Sequence, residues 1–484
     1  MIRSIGTASL VRQLGLWRGQ AGGAAYRQLA DGVRLLILDG RLPIGVRIPG
    51  ERDLAAALDV SRTTVTAAFA QLREEGYLDS RQGSGSRTSL PDRRADRPPA
   101  ETGEVEPGIV DLAVAALPAT ETVHHAYRSA LASLPRHLPG HGYERVGLDA
   151  LRAVIAERYT RRGCPTVPEQ ILVTHGALHG FGLLLRLLVG PGDRVVVDHP
   201  TYPHAIDAIH QASCRAVPVG LPGRGWDVEA IEAAFRQTGP RLAYLQPDFH
   251  NPTGRCMDEE TRARIADLAA RTRTTIVADE TMVDLWIDGP PPASLAAHDR
   301  AGRVVTLGST GKSFWGGLRV GWMRAEPRLI EGAARVRAAL DLGTPILEQL
   351  AATVLLADDG GDLDRRRTAV RAQRTALAAL VEAHLPDWTV ALPQGGLSLW
   401  AELPVPASTA LAATSELHGV RIGAGPRFGV DGSFERFVRL PFALPGDLLE
   451  AAIVRLSRAW NALGPGARAM RQDGATRQAL AQLY

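Results

Sequence analysis

The sequence predicts an all-α winged-helix module followed by a large α/β domain with a largely parallel sheet. Three observations carry that expectation. Apolar residues recur at helical spacing between Tyr26 and Leu72, with Gly and Pro punctuating the turns. A stretch from Thr88 to Gly108 is rich in Pro, Arg, Asp and Glu and almost free of large apolar residues. Beyond it, short apolar runs alternate with helix-length segments. At 484 residues the chain exceeds one ordinary domain. A hydrophobic content of 45% and a charged content of 22% describe a globular protein with a sizeable core.

In the first module, apolar residues at 26, 29, 30, 33, 36 and 37 predict a helix over Tyr26–Ile37, which Gly40 stops. Pro43, Gly45 and Pro49-Gly50 punctuate the following loop. A second helix fits Glu51–Leu58. Ser61 is placed to cap a third, whose Val65, Ala68, Phe69 and Leu72 share one face. Gly76 ends it, and Tyr77–Ser86 reads as a hairpin wing, giving a winged helix-turn-helix over 24–88. Ser61, Arg62, Thr63, Thr64 and Thr66 at the third helix's start are short hydroxyls and one guanidinium. Such groups bond phosphates and base edges when a helix N-terminus enters the major groove, and hydroxyls there also cap helices. Residues 1–90 hold twelve Arg against eight acids, whereas the whole chain carries only +3. The excess fits an anionic partner or a solvated arm at residues 1–23.

Residues 89–108 read as an extended linker, 109–462 as the large domain and 463–484 as a tail. Predicted strands are Gln170–Thr174, Arg194–Asp198, Arg241–Gln246, Thr274–Asp279, Arg303–Leu307 and Arg319–Met323. Helices Leu148–Arg161, Ala177–Val189, Val228–Thr238 and Asp258–Ala270 lie between them. Ligands of such sheets bind at the strands' carboxyl ends. The chemically distinctive residues fall there.

The chain has one lysine, Lys312, among 55 Lys and Arg. An amine can lose its proton and attack a carbonyl, whereas a guanidinium stays charged. Lys312 follows a predicted strand in Gly308-Ser309-Thr310-Gly311-Lys312-Ser313 and reads as a Schiff-base lysine for pyridoxal phosphate (PLP). The turn Thr174-His175-Gly176-Ala177 presents backbone N–H groups at a helix start, suited to a phosphate. Asp279 ends a strand, where a carboxylate either caps the turn or pairs with a protonated pyridine nitrogen. Asn251, in Asn251-Pro252-Thr253-Gly254, carries an amide within a fixed turn. Arg319 begins the next predicted strand and offers a charge to a phosphate. Tyr202 offers a ring to stack on a cofactor.

No apolar run reaches the roughly 18–20 residues that span a bilayer, and Met1–Gln20 lacks a continuous apolar segment. Cys164, Cys214 and Cys256 show neither metal spacing nor a pairing pattern. The expectation is a cytoplasmic protein with no membrane partner and no metal.

The residues Gly40–Pro43, Arg47–Ala55, Val60–Val65 and Glu75–Leu78 closely resemble the GntR family of bacterial transcription regulators. The resemblance implies contact with double-stranded DNA through Arg52, Arg62, Thr63, Thr64 and the wing residues Gln82 and Gly83. Many members have Arg where this chain has Thr66. The ordered set of phosphate turn, aromatic residue, Asn-Pro-Thr-Gly, Asp, Lys and Arg resembles fold-type I PLP enzymes of the aspartate aminotransferase class. That likeness assigns Lys312 to the cofactor aldehyde, Asp279 to its ring nitrogen and Asn251 to its 3′-oxygen. It stacks Tyr202 on the ring and gives the phosphate to Gly176, Ala177, Ser309 and Arg319. Arg439, in Phe437-Val438-Arg439-Leu440, matches the Arg that takes a substrate α-carboxylate, a salt-bridged strand Arg being the alternative. Thr281 stands where the class usually has a Tyr on the 3′-oxygen.

Together the two modules resemble the MocR subgroup of bacterial regulators. The resemblance implies PLP as cofactor, an amino-compound effector, a head-to-tail homodimer and an operator with two half-sites. The reading is a PLP-dependent transcription regulator. The alternative is a working aminotransferase with an accessory DNA-binding module, which the loss of the Tyr at 281 counts against.

Overall fold

The structure, a computed structural model, describes residues 4–15, 17–18, 24–38, 41–43, 45–81, 85–89, 108–223, 225–289, 293–358 and 360–463. Gln82, Gly83, most of the linker and the tail beyond residue 463 lie outside the described residues.

The N-terminal module comprises α1 (Thr7–Leu14), α2 (Ala25–Leu38), α3 (Glu51–Ala57), α4 (Arg62–Glu74) and the antiparallel hairpin β1 (Leu78–Arg81) and β2 (Gly85–Thr88). Leu29, Val33 and Leu36 of α2 close on Leu54 of α3 and on Val65, Phe69 and Leu72 of α4. The stretch expected as an arm differs in part. Thr7–Leu14 is a helix, and its Leu10 and Leu14 are buried in this same core. Two apolar side chains four residues apart give it a face that water disfavours, so it folds onto the module.

After the linker the chain runs through β3 (Val110–Leu112), α5 (Glu121–Ser133), α6 (Asp149–Arg161), β4 (Ile171–Thr174), α7 (Ala177–Leu188), β5 (Arg194–His199), α8 (Pro203–Gln211) and β6 (Arg215–Gly220). It continues through α9 (Val228–Thr238), β7 (Leu242–Leu245), α10 (Glu259–Thr272), β8 (Thr275–Asp279), β9 (Val304–Ser309), the single turn α11 (Thr310–Ser313) and β10 (Gly321–Arg324). The remainder is α12 (Pro327–Arg337), α13 (Ile346–Ala357), α14 (Gly361–His384), β11 (Thr389–Val390), β12 (Ser398–Glu402), α15 (Ser408–Leu417), β13 (Val420–Ala424), β14 (Phe437–Pro441) and α16 (Gly446–Ala462).

Two sheets form two lobes. The large lobe holds seven strands in the order β4-β10-β9-β8-β7-β5-β6, in which β10 alone runs against its neighbours. Helices cover both faces and bury β7 and β8 along their whole length. The small lobe holds β11-β12-β14-β13-β3. Here β3, the first strand after the linker, pairs in parallel with β13 near the end of the chain. The predicted helices and strands of the large lobe coincide with observed elements to within about two residues at each end.

The N-terminal module rests on the small lobe. Leu35 of α2 is buried with the small lobe's core rather than its own module's. The backbone at Gly15, in a left-handed conformation (φ 55°), lies so close to Asp431 and Gly432 that a Cβ there would sit 2.9 Å from the Asp431 carbonyl oxygen. Among the described residues, no helix is long and apolar enough to cross a membrane.

Candidate functional site

The N-terminal end of α4 is built by its cap. Ser61 Oγ accepts from the Thr64 backbone N–H at 3.1 Å and lies 2.7 Å from Thr63 Oγ1 and 2.8 Å from Thr64 Oγ1. The cap leaves Arg62 and Thr63 exposed, with Arg52 exposed at the start of α3 and Thr64 half-buried. Thr66 is engaged within the module, because its hydroxyl donates to Glu51 Oε2 at 2.7 Å and so ties α4 to α3.

A second site opens where the carboxyl ends of β4, β7, β8 and β9 converge. Its cavity of about 210 Å³ is lined by Lys312, Asp279, Asn251, Tyr202, Gly176, Ala177, Ser309 and Arg319. Residues scattered over nearly 150 positions thus meet in one space, as strand-end loops of an α/β sheet do.

Lys312 sits on α11, the one turn that follows β9. Its Nζ donates to the Ala115 carbonyl at 2.6 Å. Burial pushes the amine down to about 8, the Arg439 charge acts in the same direction, and Asp279 opposes both. A lysine so tuned carries a reactive neutral fraction near neutral pH. Asp279 ends β8 and is held at both oxygens. Tyr244 donates its phenol to Oδ2 at 2.5 Å, and the Thr281 backbone N–H donates to Oδ1 at 3.0 Å.

The end of the cavity at Gly176 is made by close approach. Gly176 (φ 84°) caps α7, and a Cβ on Gly321 of β10 would lie 2.6 Å from the Gly176 backbone. Only glycine fits there, which leaves the first N–H groups of α7 facing the cavity end. Ser309 Oγ accepts from the Gly311 N–H at 3.0 Å. Arg319 donates to the His175 carbonyl at 3.0 Å, alongside the same turn. Arg319 does not begin a strand, contrary to expectation. It follows a short turn at Gly316–Leu318 in left-handed backbone (φ 52°), and β10 starts two residues later at Gly321. The Val320 carbonyl accepts both the backbone N–H of Thr310, at 3.0 Å, and its hydroxyl, at 2.9 Å, which ties the approach to β10 onto the start of α11.

Arg439, on β14 of the small lobe, reaches this space from the opposite side. It donates to Asn251 Oδ1 at 3.3 Å and to the Ala113 carbonyl, and its guanidinium lies 5.1 Å from the Phe428 ring centroid. Its Nε is buried without a hydrogen-bond partner, and no carboxylate lies within ion-pair distance among the described residues. Burial pulls it down to about 10, with Arg427 adding to the effect and Tyr202 opposing. An unpaired buried guanidinium costs free energy unless an anion arrives. The salt-bridged alternative therefore has no support here. Tyr202 precedes α8, and its phenol is pushed up by burial and by the Asp279 charge.

Two polar cavity residues escaped the sequence reading, Tyr244 and Gln246. Every residue of β7 is buried, so no alternation marks which side chain faces the ligand. A Tyr and a Gln at the end of an otherwise aliphatic strand were the available signal.

The family model described as bacterial regulatory proteins, gntR family, matches residues 25–87, and that of aminotransferase class I and II matches 118–456. The chain is 30% identical over 404 residues to the probable rhizopine catabolism regulatory protein MocR of Rhizobium meliloti, covering 78% of this chain and 81% of that protein. It is 25% identical over 431 residues to the HTH-type transcriptional regulator NorG of Staphylococcus aureus, covering 82% and 95%. Among solved structures it is similar to LysN of Thermus thermophilus, an alpha-aminoadipate aminotransferase complexed with N-(5'-phosphopyridoxyl)-L-leucine. The TM-score is 0.69 at 27% identity, over 74% of this chain and 93% of that one. A kynurenine aminotransferase of Pyrococcus horikoshii, in complex with PMP, gives a TM-score of 0.67 at 26% identity, over 73% and 90%.

Proposed function

Because the chain belongs to the MocR subgroup of gntR-family regulators, its larger part being a class I and II aminotransferase domain, we propose that it is a transcription regulator whose DNA binding responds to pyridoxal phosphate and to an amino compound. The observation that carries this reading is the convergence of the sole lysine, Asp279 and the carboxylate-free Arg439 on one cavity, in a chain that also presents an exposed Arg62 at a capped helix start.

The residues fit the cofactor by their donor set. A depressed amine, a buried carboxylate, a glycine-built anion turn and an adjacent guanidinium are what an aromatic aldehyde phosphate requires. Bound there, pyridoxal phosphate supplies an electrophilic carbonyl and an electron-poor ring. Lys312 would hold the aldehyde carbon, Asp279 the ring nitrogen, and Asn251 the ring oxygen. Tyr202 would cover the ring face. Gly176, Ala177, Ser309 and Arg319 would hold the phosphate. Arg439 would receive the carboxylate of an amino compound, which relieves its unpaired charge.

Regulation requires that the ligand bind two conformations unequally. Arg439 belongs to the small lobe and Lys312 to the large, so a ligand joining them favours the closed arrangement. The DNA module rides on the small lobe through Leu35 and Gly15, and closure would carry it along. Exposed apolar side chains fit coverage by a second copy: Leu178 of the cavity lining, Trp315 next to the lining residue Gly316, and Val114 between the Ala113 and Ala115 carbonyls that accept from Arg439 and Lys312. A homodimer would pair two winged helices for two half-sites, and its place of work would be the cytoplasm, where bacterial DNA lies. The second reading, a working aminotransferase, is favoured by the unpaired Arg439 and opposed by Thr281.

The test is reconstitution with pyridoxal phosphate, borohydride reduction and peptide mapping, with operator affinity measured by anisotropy with and without the cofactor. Label fixed at Lys312 and a cofactor-dependent affinity are expected. Label confined to the N-terminal amine, or turnover on the order of 1–10³ per second with DNA binding indifferent to the cofactor, overturns the reading.

A further inference from the structure

Asp279 is claimed by a phenol before any ligand reaches it. Tyr244 lies on β7, whose register with β8 sets Tyr244 beside Val277, two residues short of Asp279. Two positions along a strand return to the same face, so the phenol and the carboxylate point to one side of the sheet. Phe181 of α7 packs against the Tyr244 ring at 4.8 Å and fixes it. Tyr244 is 2% exposed, and its 2.5 Å bond to Asp279 Oδ2 is buried. Burial, and after it the Asp279 charge, raises the phenol well above its ordinary range. Tyr244 therefore stays protonated at any working pH and acts toward Asp279 only as a donor.

We propose that Tyr244 tempers the Asp279 carboxylate, so that a pyridine nitrogen bound to it holds its proton less firmly than a free carboxylate would allow. The inference rests on the reading of the cavity as a pyridoxal phosphate site. A carboxylate has about four lone-pair positions, so Asp279 can accept a ring N–H beside the Tyr244 hydroxyl and the Thr281 N–H. Each donor nonetheless draws charge from the same two oxygens. Proton retention on the ring depends on that charge, and a buried phenol bond to an ionised acceptor is among the stronger kinds. The balance concerns one proton, shared between the ring nitrogen and solvent. A ring that releases its proton more readily is a weaker electron sink. Thr281, which lacks the usual phenol, and Tyr244, which adds one on the carboxylate, then act in the same direction, toward holding an amino compound rather than turning it over.

The experiment uses the full-length protein loaded with pyridoxal phosphate carrying ¹⁵N in the ring, and reads the nitrogen shift against pH. Tyr244→Phe keeps the ring that packs on Phe181 and removes only the hydroxyl. The deprotonation midpoint of the ring nitrogen should rise by about one pH unit, roughly a tenfold firmer hold on the proton. In an Asp279→Asn background the same change should move the midpoint by less than a third as much, since the coupling runs through the carboxylate. An unmoved midpoint overturns the inference. A lowered one does so too, because it marks Tyr244 as only orienting Asp279. An equal shift in the Asn background also overturns it. Absence of a bound resonance in the wild-type protein defeats the cofactor assignment itself, and this inference with it.

Discussion

Arg439 lays its guanidinium 5.1 Å from the ring of Phe428, with no carboxylate at ion-pair distance among the described residues. Phe428 supplies a flat, apolar floor that fixes the planar group without neutralising it. The charge is thereby kept for an incoming anion.

The first expectation concerns that anion. Arg439→Ala should weaken binding of carboxylate-bearing amino compounds to the cofactor-loaded protein by about 10–100-fold, the span of a charge-assisted hydrogen bond. Amines without a carboxylate should bind equally well to both proteins. Spectral titration with matched pairs, such as an amino acid and its decarboxylated amine, reads the difference directly.

Lys312 gives a pH dependence with a definite sign. Its folded-state value, about 8, lies below the ordinary 10.5. Between those values the unfolded chain binds a proton that the native chain does not, so stability without cofactor should rise with pH across that window. Below about pH 8 the native protein carries the burial cost of the charged amine. Lys312→Met should remove this slope, measured by denaturant unfolding at pH 7, 8.5 and 10. The rate of cofactor capture should rise through pH 8 in the wild-type protein.

On the DNA side, Arg62→Ala should cost about 1–3 kcal/mol if its side chain reads a base edge, and Arg52→Ala should reduce the salt dependence of binding. Thr66→Val should behave differently. Its hydroxyl is committed to Glu51, so the change should lower the module's melting temperature and leave operator affinity within a few-fold. A large loss of affinity in a Thr66→Val protein that melts normally would place Thr66 in the interface.

Thr281→Tyr tests the missing phenol. Thr281 lines the cavity next to Asp279, with its backbone N–H on that carboxylate. A Tyr there should raise the rate of amino-group exchange with the cofactor in single-turnover measurements, while operator affinity of the cofactor-free protein stays unchanged. Equal rates in both proteins would mean that something other than this contact limits the chemistry.

The coupling between the DNA module and the small lobe can be cut at Gly15. A Cβ there meets the Asp431 carbonyl and Gly432, and the φ of 55° disfavours other residues. Gly15→Val should leave cofactor affinity intact and reduce the cofactor's effect on DNA binding. An undiminished effect would show that this contact plays no part in coupling.

Much of this was readable from sequence because local physics and tertiary structure agree. Ser61 caps α4 and the residues spaced along that helix are its buried face. Gly176 and Lys312 follow strands, as their neighbours require. What was not readable has specific causes. Strand β6 carries Pro218 and sits at a sheet edge, half-buried, so it has neither alternation nor a continuous apolar run. Helix α1 is short and polar apart from a few residues, and its fate depends on a core it cannot announce. Arg319 sits in a left-handed turn that no composition signals. Tyr244 belongs to a strand buried on both faces, where period-two patterning is erased.

The pairing of β3 with β13 has a consequence for how the protein is made. Val110 and Val420 are partners in one ladder, about three hundred residues apart in the chain. At roughly 5–20 residues per second a ribosome needs tens of seconds to deliver the second after the first. During that interval the winged helix, complete by residue 88, is free of the tunnel and folded on local contacts, while β3 waits with an open edge. The nascent chain therefore acquires its winged helix well before the lobe on which that module rests. Newly made chains should pass through a stage in which they grip nucleic acid without regard to ligand.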